Sequence, residues 1–307
     1  MKAALVETFN QVPQYKEVQA PIAKDGEQLV TVLASPVNHL VQARANGTHY
    51  SSDASQLPFI PGVDGVGKLA NGQLVYFMAN GPLAEKVAVN EHRMIPIPAN
   101  VDANKVAAAM NPATSSWMAI KQRLGDIKGK KVMILGATGA AGSVAMEISR
   151  YLGTSEVVAV GRNQEKLNQL DADQKIWLGN PDADLKANAD VDVVLDYLWG
   201  EVTEQFLPII LQARIDHSQP LNWVEIGSMA GSDIKLPAAF LRSTALTLLG
   251  SGMGSVPARA FVKELPELAQ LISEGHFNVP IEVAPLSQVS EMWLKETGKR
   301  LVFNPGK

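Results

Sequence analysis

The chain has 307 residues, 46% of them hydrophobic, and a formal charge of −4. That size fits two domains, and the charge, with no Lys/Arg block, argues against nucleic acid or an anionic membrane surface as the main partner. Cysteine is absent, which removes disulfides, iron–sulfur clusters, thiol nucleophiles and every Cys-containing zinc site together. No apolar span approaches the roughly twenty residues of a membrane helix. The histidines, His39, His49, His92, His217 and His276, include no closely spaced ligand pair.

Met1-Lys2 leads into the apolar run Ala3–Val6 with no secretory h-region, so the expected compartment is the cytoplasm. Further short strands are expected at Gln28–Ala34, Gln73–Met78, Ala84–Val89 and Met94–Ile97, a spacing that predicts a small, strongly bent sheet or barrel. Residues 35–47 between them predict a helical turn. At Asn111-Pro112-Ala113-Thr114-Ser115-Ser116 a proline and three hydroxyls precede an apolar run, which predicts a capped helix start at the crossing between domains. From there to about residue 250 strand and helix alternate, with strands at 132–135, 157–160, 176–178, 192–195, 221–226 and 246–249. Such alternation gives a doubly wound parallel sheet whose ligand lies at the carboxyl ends of the strands. The tail holds a helix over 258–273, a strand near 279–283, a helix over 286–293 and a closing strand at 300–303.

The most informative stretch is Gly136-Ala137-Thr138-Gly139-Ala140-Ala141-Gly142, which follows the apolar run 132–135 and opens a helical pattern with Val144, Ile148 and Tyr151 on one side. Glycine lets backbone approach a pyrophosphate where a Cβ would collide, and the following helix offers unpaired N–H groups and the positive end of its dipole. The spacing departs by one residue from the G-x-G-x-x-G fingerprint, so the strand–turn–helix context carries the reading. The next apolar run ends in Gly161-Arg162-Asn163, where a ribose-binding acid is expected and none is present. Arg162, with Lys166 one helical turn on, would instead neutralise a 2′-phosphate, so the expected cofactor is NADPH. Residues at the other strand exits complete the cofactor-binding candidates: Leu198, Gly227, Ser228, Gly250 and Ser251.

Several segments together resemble the medium-chain dehydrogenase/reductase superfamily, in its zinc-free quinone oxidoreductase branch. Ala34-Ser35-Pro36-Val37-Asn38 with Gly47 resembles the asparagine-containing active-site helix of that branch. Ile60-Pro61-Gly62-Val63-Asp64-Gly65-Val66-Gly67 resembles its P-G-x-D/E-x-x-G turn, Leu83-Ala84-Glu85-Lys86-Val87 its A-E strand, and Arg300-Leu301-Val302-Phe303 its closing strand. The resemblance implies a GroES-like catalytic domain over 1–111, to which 275–307 return, a Rossmann NADP-binding domain over 112–274, and a homodimer joined along the last nucleotide-domain strand. It further implies that Asn38, Tyr50 and Ser115 line the nicotinamide end as the catalytic residues.

Each of those residues also has a plainer reading. Asn38 can cap its own turn, Tyr50 can be a packing residue, and Thr114 takes the place of Ser115 if the register shifts by one. Trp199 and Trp293 read as packing residues, His39 and His49 as incidental, and Arg300 as a solvated arginine at a strand end. The sequence departs from relatives at Val41, where an aspartate is common, and at Arg44, which falls one place early.

Zinc-dependent members carry a Cys in the first motif and G-H-E in the second, where this chain has Asn38 and Gly62-Val63-Asp64. Without a Lewis acid, oxidation of an unactivated alcohol has no obvious driving element, whereas a quinone or α,β-unsaturated carbonyl is already electrophilic. The expected activity is therefore zinc-independent, NADPH-dependent reduction of a small quinone or enone. An enoyl-thioester reductase and a non-catalytic NADPH-binding sensor are the alternatives.

Overall fold

The computed structural model describes residues 1–49, 52–295 and 298–306. It divides into two compact units, Met1–Asn111 with Val262–Lys307, and Pro112–Phe261.

The second unit is built on a six-stranded parallel sheet in the order Gln174–Trp177, Glu156–Gly161, Lys131–Leu135, Val193–Asp196, Leu221–Glu225 and Leu246–Gly250. Its inner strands are near-continuous runs of Val, Ile and Leu buried on both faces, as a sheet covered by helices on both sides requires. Trp223, Phe206 and Ile210 fill the core around Met133 and Val194. Strand order reverses between Lys131–Leu135 and Val193–Asp196, which makes the exits of these two strands the switch point where open α/β sheets bind ligands. In the helix Ala140–Tyr151, Val144 and Ile148 are buried, but Tyr151 is 46% exposed and lies off the apolar stripe.

The helix expected to begin at Asn111-Pro112 begins earlier. It runs Ala103–Met118 with Pro112 inside it, and Asp102 caps it by accepting from the backbone N–H groups of Asn104 and Lys105. The alanine-rich turns before Pro112 favour helix strongly enough to carry it past the proline.

The first unit holds a seven-stranded sheet and a two-stranded one. Glu27–Pro36 is its spine, pairing with Asp64–Lys68, Lys86–Asn90 and the closing strand Arg300–Asn304. Glycine lets this sheet bend tightly: a Cβ on Gly67 would stand 2.3 Å from Val30 Cγ1 and 2.6 Å from the Thr31 carbonyl. Among the described residues no helix is long and apolar enough to cross a membrane.

Candidate active site

The turn after Lys131–Leu135 is compact. Gly136 has φ +92°, and a Cβ there would press on Leu198 at 3.2 Å and Tyr197 at 3.4 Å. The N–H groups of Gly136 and Ala137 both donate to the Val160 carbonyl, which fastens the turn to the neighbouring strand. Gly142 packs the helix onto the turn, because a Cβ would lie 2.3 Å from the Gly136 carbonyl oxygen. Gly139 is the N-cap of Ala140–Tyr151 and supplies no side-chain bond, so the first N–H groups of that helix lack a side-chain acceptor. Gly139 is exposed and Ala140 and Ala141 are partly so. An uncapped helix start reached over a glycine turn fits a diphosphate.

Gly161 at the next strand exit is required for a different reason: a Cβ would stand 2.6 Å from Thr138 Cγ2, so glycine admits the Thr138 side chain. Arg162, Asn163 and Lys166 are exposed beyond it. Asn163 Oδ1 caps the helix Gln164–Gln169 by accepting from the Lys166 N–H at 2.9 Å, and the Arg162 carbonyl accepts from Trp177 Nε1. Both bonds use only the backbone of Arg162 and Lys166, and the two residues are exposed at the exit where a 2′-phosphate is expected.

The exit of Val193–Asp196 is held by a group that pattern reading passes over. Asp196 is fully buried and accepts from the N–H groups of Leu198 and Trp199, from Trp223 Nε1 at 2.8 Å and from the Thr203 hydroxyl. It pins Tyr197-Leu198-Trp199, in which Trp199 takes φ +53° and Gly200 φ +52°. Backbone bonds from Met229 to the Tyr197 carbonyl and from Ala230 to the Leu198 carbonyl tie the Gly227–Gly231 loop to it. Gly227 lies against the Tyr197 backbone, and Ser228 is exposed. Glu225, at the end of its strand, has its carboxyl pushed above the usual range by burial first and then by the charge of Asp196. At the last strand the Gly250 carbonyl accepts from Arg123 Nε and the Ser251 N–H donates to the Glu225 carbonyl, so both residues already have structural partners.

Ser115, half-buried on the helix Ala103–Met118, donates its hydroxyl to the Pro112 carbonyl at 2.7 Å and lies 3.3 Å from the Tyr197 hydroxyl. Burial pushes the Tyr197 phenol up to about 12. Thr114 Oγ1 is buried with no hydrogen-bond partner.

In the first unit Asn38 is the N-cap of His39–Ala45, its Oδ1 accepting from the Val41 N–H at 2.9 Å. Its amide oxygen is thus engaged, which leaves Nδ2 as the group able to donate. Tyr50 lies outside the described residues. Arg44 Nη1 donates to Asn80 Oδ1 at 3.1 Å, and both line a cavity of about 510 Å³ walled also by Phe9, Phe59 and Ile60.

Deeper in the same unit Asp64 is buried, accepts from the Tyr76 hydroxyl at 2.9 Å, and keeps Oδ1 without a partner. Burial raises its carboxyl to about 6, opposed by the Tyr76 bond and the charge of Arg300. Arg300, expected to be a solvated strand end, is instead partly buried, and its guanidinium is lowered by desolvation against the pull of Asp64. Strand pairing draws it in, since Arg300–Asn304 enters the sheet beside Glu27–Pro36. Neither Asp64 nor Tyr76 carries a usable sequence signal for this partnership, because it depends on strand register. Among the described residues no group of three or more His, Asp or Glu is placed to hold a metal ion.

A parallel sheet whose switch point carries a glycine turn and an open helix start defines a dinucleotide-binding α/β protein. No family model matches the chain. It is 30% identical to the "Probable NADPH-dependent quinone reductase tdiC" of Emericella nidulans, over 99% of this chain and all of that one. Its fold matches a mycobacterial quinone oxidoreductase at TM-score 0.85 and 17% identity, covering 99% of this chain and 100% of that one. It also matches the quinone oxidoreductase of Thermus thermophilus at TM-score 0.74 and 24% identity, with the same coverage. The chain belongs to the medium-chain dehydrogenase/reductase superfamily, in its quinone oxidoreductase-like branch, and carries the Rossmann sheet and the GroES-like β-rich unit of that fold.

Proposed function

We propose that this protein is an NADPH-dependent reductase that transfers hydride, without zinc, to quinones or other activated C=C and C=O acceptors. The observation that carries this reading is the turn at Gly136–Gly142: an uncapped helix start beside an exposed Arg162 and Lys166, with no acid in the place that would select a free ribose hydroxyl. In it Gly136, Thr138, Gly139, Ala140, Ala141 and Gly142 receive the diphosphate, and Gly161, Arg162, Asn163 and Lys166 the 2′-phosphate. Leu198, Gly227, Ser228, Gly250 and Ser251 flank the rest of the cofactor. The likeness to an Emericella protein named as an NADPH-dependent quinone reductase supports the same cofactor and acceptor class.

Bound NADPH supplies the hydride. The chain's own part is to align the acceptor carbon and to stabilise the oxygen that gains charge. With its carbonyl oxygen held by Val41, Asn38 presents its amide N–H groups as donors for that oxygen. Ser115, and Tyr50 outside the described residues, are the further candidates that the family resemblance supplies for the nicotinamide end. Zinc independence rests on the donor set: there is no cysteine, and Asn38 and Asp64 stand where zinc-binding relatives carry ligands or their neighbours. The domain roles follow, catalytic for the unit formed by both chain ends and nucleotide-binding for the other. The outer edge strand Leu246–Gly250, unpaired on one side among the described residues, is available to pair with a second copy.

Stopped-flow absorbance tests the reading. NADPH oxidation is expected on adding naphthoquinone or an enone, faster than with crotonyl-thioester and unchanged by a chelator. Slower turnover of the quinone than of the thioester points to an enoyl reductase, and no turnover with any electrophile to a sensor. Arg162→Ala should weaken NADPH binding about tenfold or more while leaving NADH binding nearly unchanged, as loss of a charge-assisted phosphate contact does. Equal affinity of the wild type for NADH and NADPH refutes the phosphate site.

A further inference from the structure

Tyr197 touches both the glycine turn and the helix bearing Ser115. Its Cβ lies 3.4 Å from where a Cβ on Gly136 would stand, and its hydroxyl lies 3.3 Å from Ser115 Oγ. The direction of that last bond follows from counting protons. Ser115 has one hydroxyl proton, and it is engaged with the Pro112 carbonyl at 2.7 Å. Ser116 likewise directs its proton to the Ala113 carbonyl. The proton between Tyr197 and Ser115 therefore belongs to the phenol. A hydroxyl oxygen has two acceptor sites, so Ser115 Oγ keeps one lone pair and no free proton. A ligand meeting it must bring a donor.

We propose that Tyr197 is a positioning residue that locks Ser115 as an acceptor and thereby selects a cofactor whose nicotinamide end presents an N–H donor, the carboxamide NH₂. The proposal rests on the reading of Ser115 as a contact of the nicotinamide end. It adds what Ser115 recognises there and which residue sets that preference. The phenol suits this role because it stays protonated across the neutral range and its ring is held in a buried setting. Asp196 fixes its backbone through the adjacent Leu198 and Trp199 N–H groups. Without the phenol only the Pro112 carbonyl holds the Ser115 hydroxyl, which can then turn and donate to a ligand acceptor as well as accept from a donor, so discrimination by this atom should fade.

Equilibrium calorimetric titration, with no turnover, tests this. The probes are NADP⁺, its 3-acetylpyridine analogue, in which a methyl replaces the NH₂, and 2′-phospho-ADP-ribose, which lacks the ring altogether. The wild type should bind NADP⁺ about tenfold more tightly than the acetylpyridine analogue, the effect of one hydrogen bond in a shielded site. Tyr197→Phe should reduce that ratio to about threefold or less while leaving 2′-phospho-ADP-ribose binding unchanged, and Ser115→Ala should abolish it. If Ser115→Ala abolishes the ratio and Tyr197→Phe preserves it, Ser115 is the contact but Tyr197 does not set it, and the proposal fails alone. If Ser115→Ala leaves the ratio intact, or the wild type shows none, the placement of Ser115 fails and takes the proposal with it. Equal weakening of all three probes by Tyr197→Phe also overturns it, since that marks a general structural role.

Discussion

A buried aspartate sits in each unit, and the two are handled in opposite ways. Asp196 takes four donors, two from backbone and two from side chains, and locks a strand exit into an otherwise unfavourable backbone path. Asp64 takes one donor from Tyr76, leaves Oδ1 unpartnered, and is balanced by Arg300 only through space. A carboxylate surrounded by donors is a rigid structural post, whereas one that lacks them holds its proton more tightly and titrates within reach of neutrality. The glycine turn leans on the first kind, through Tyr197 and Leu198. The β-rich unit keeps the second.

The contrast breaks most readily at Asp196. Asp196→Ala leaves Trp223 Nε1 and the Thr203 hydroxyl buried without an acceptor, at about 1–3 kcal/mol each, so urea unfolding should show a loss of about 3–5 kcal/mol. A loss under about 1 kcal/mol would mean that the exit is held by packing and that the four bonds matter little.

Asp64 should reveal itself through pH. Its folded-state pKa of about 6 lies above the 3.8 of a free carboxyl, so its contribution to stability is complete below pH 4 and is lost as pH rises through 6. At roughly 1.4 kcal/mol per unit, about 2–3 kcal/mol should disappear across that window. In Asp64→Asn the slope from this residue should vanish, and denaturation curves that stay parallel for variant and wild type between pH 4 and 6 would remove Asp64 from the account.

The smallest effect sharpens the picture of the rigid exit. Gly142→Ala sets a Cβ 2.3 Å from the Gly136 carbonyl oxygen and should cost about 1–3 kcal/mol by overpacking, with weaker NADPH binding. Gly139→Ala meets only that same oxygen at 3.3 Å and should cost much less. Thermal unfolding with and without NADPH separates the two, and equal losses would show that the turn yields as a whole.

Much of this is legible from residue order. Apolar runs at 132–135, 157–160 and 193–195 mark the inner strands, and Gly136, Gly139 and Gly142 mark the turn, because strand burial and close backbone approach each leave a local trace in residue type. The helix start is misplaced by sequence because Asn111-Pro112 with its hydroxyls looks like a cap, while Asp102, the true one, is a single acid ahead of an alanine-rich stretch. Asn38 and Asn163 read as ligand contacts, and in the structure both side-chain oxygens cap their helices, a local role that binding by the rest of the side chain leaves open.

The order of residues by itself determined which strands are buried on both faces, where backbone must turn tightly on glycine, and that no thiolate is available to a metal. Periodicity, glycine placement and composition are properties of neighbours along the chain. Only the tertiary structure decided that Tyr197 meets Ser115, 82 positions away, that Trp223 and Thr203 close around Asp196, and that Arg300 turns from solvent toward Asp64. Those pairings depend on sheet order and register, and hydrogen bonds and charges act over a few ångströms of space whatever the distance in sequence.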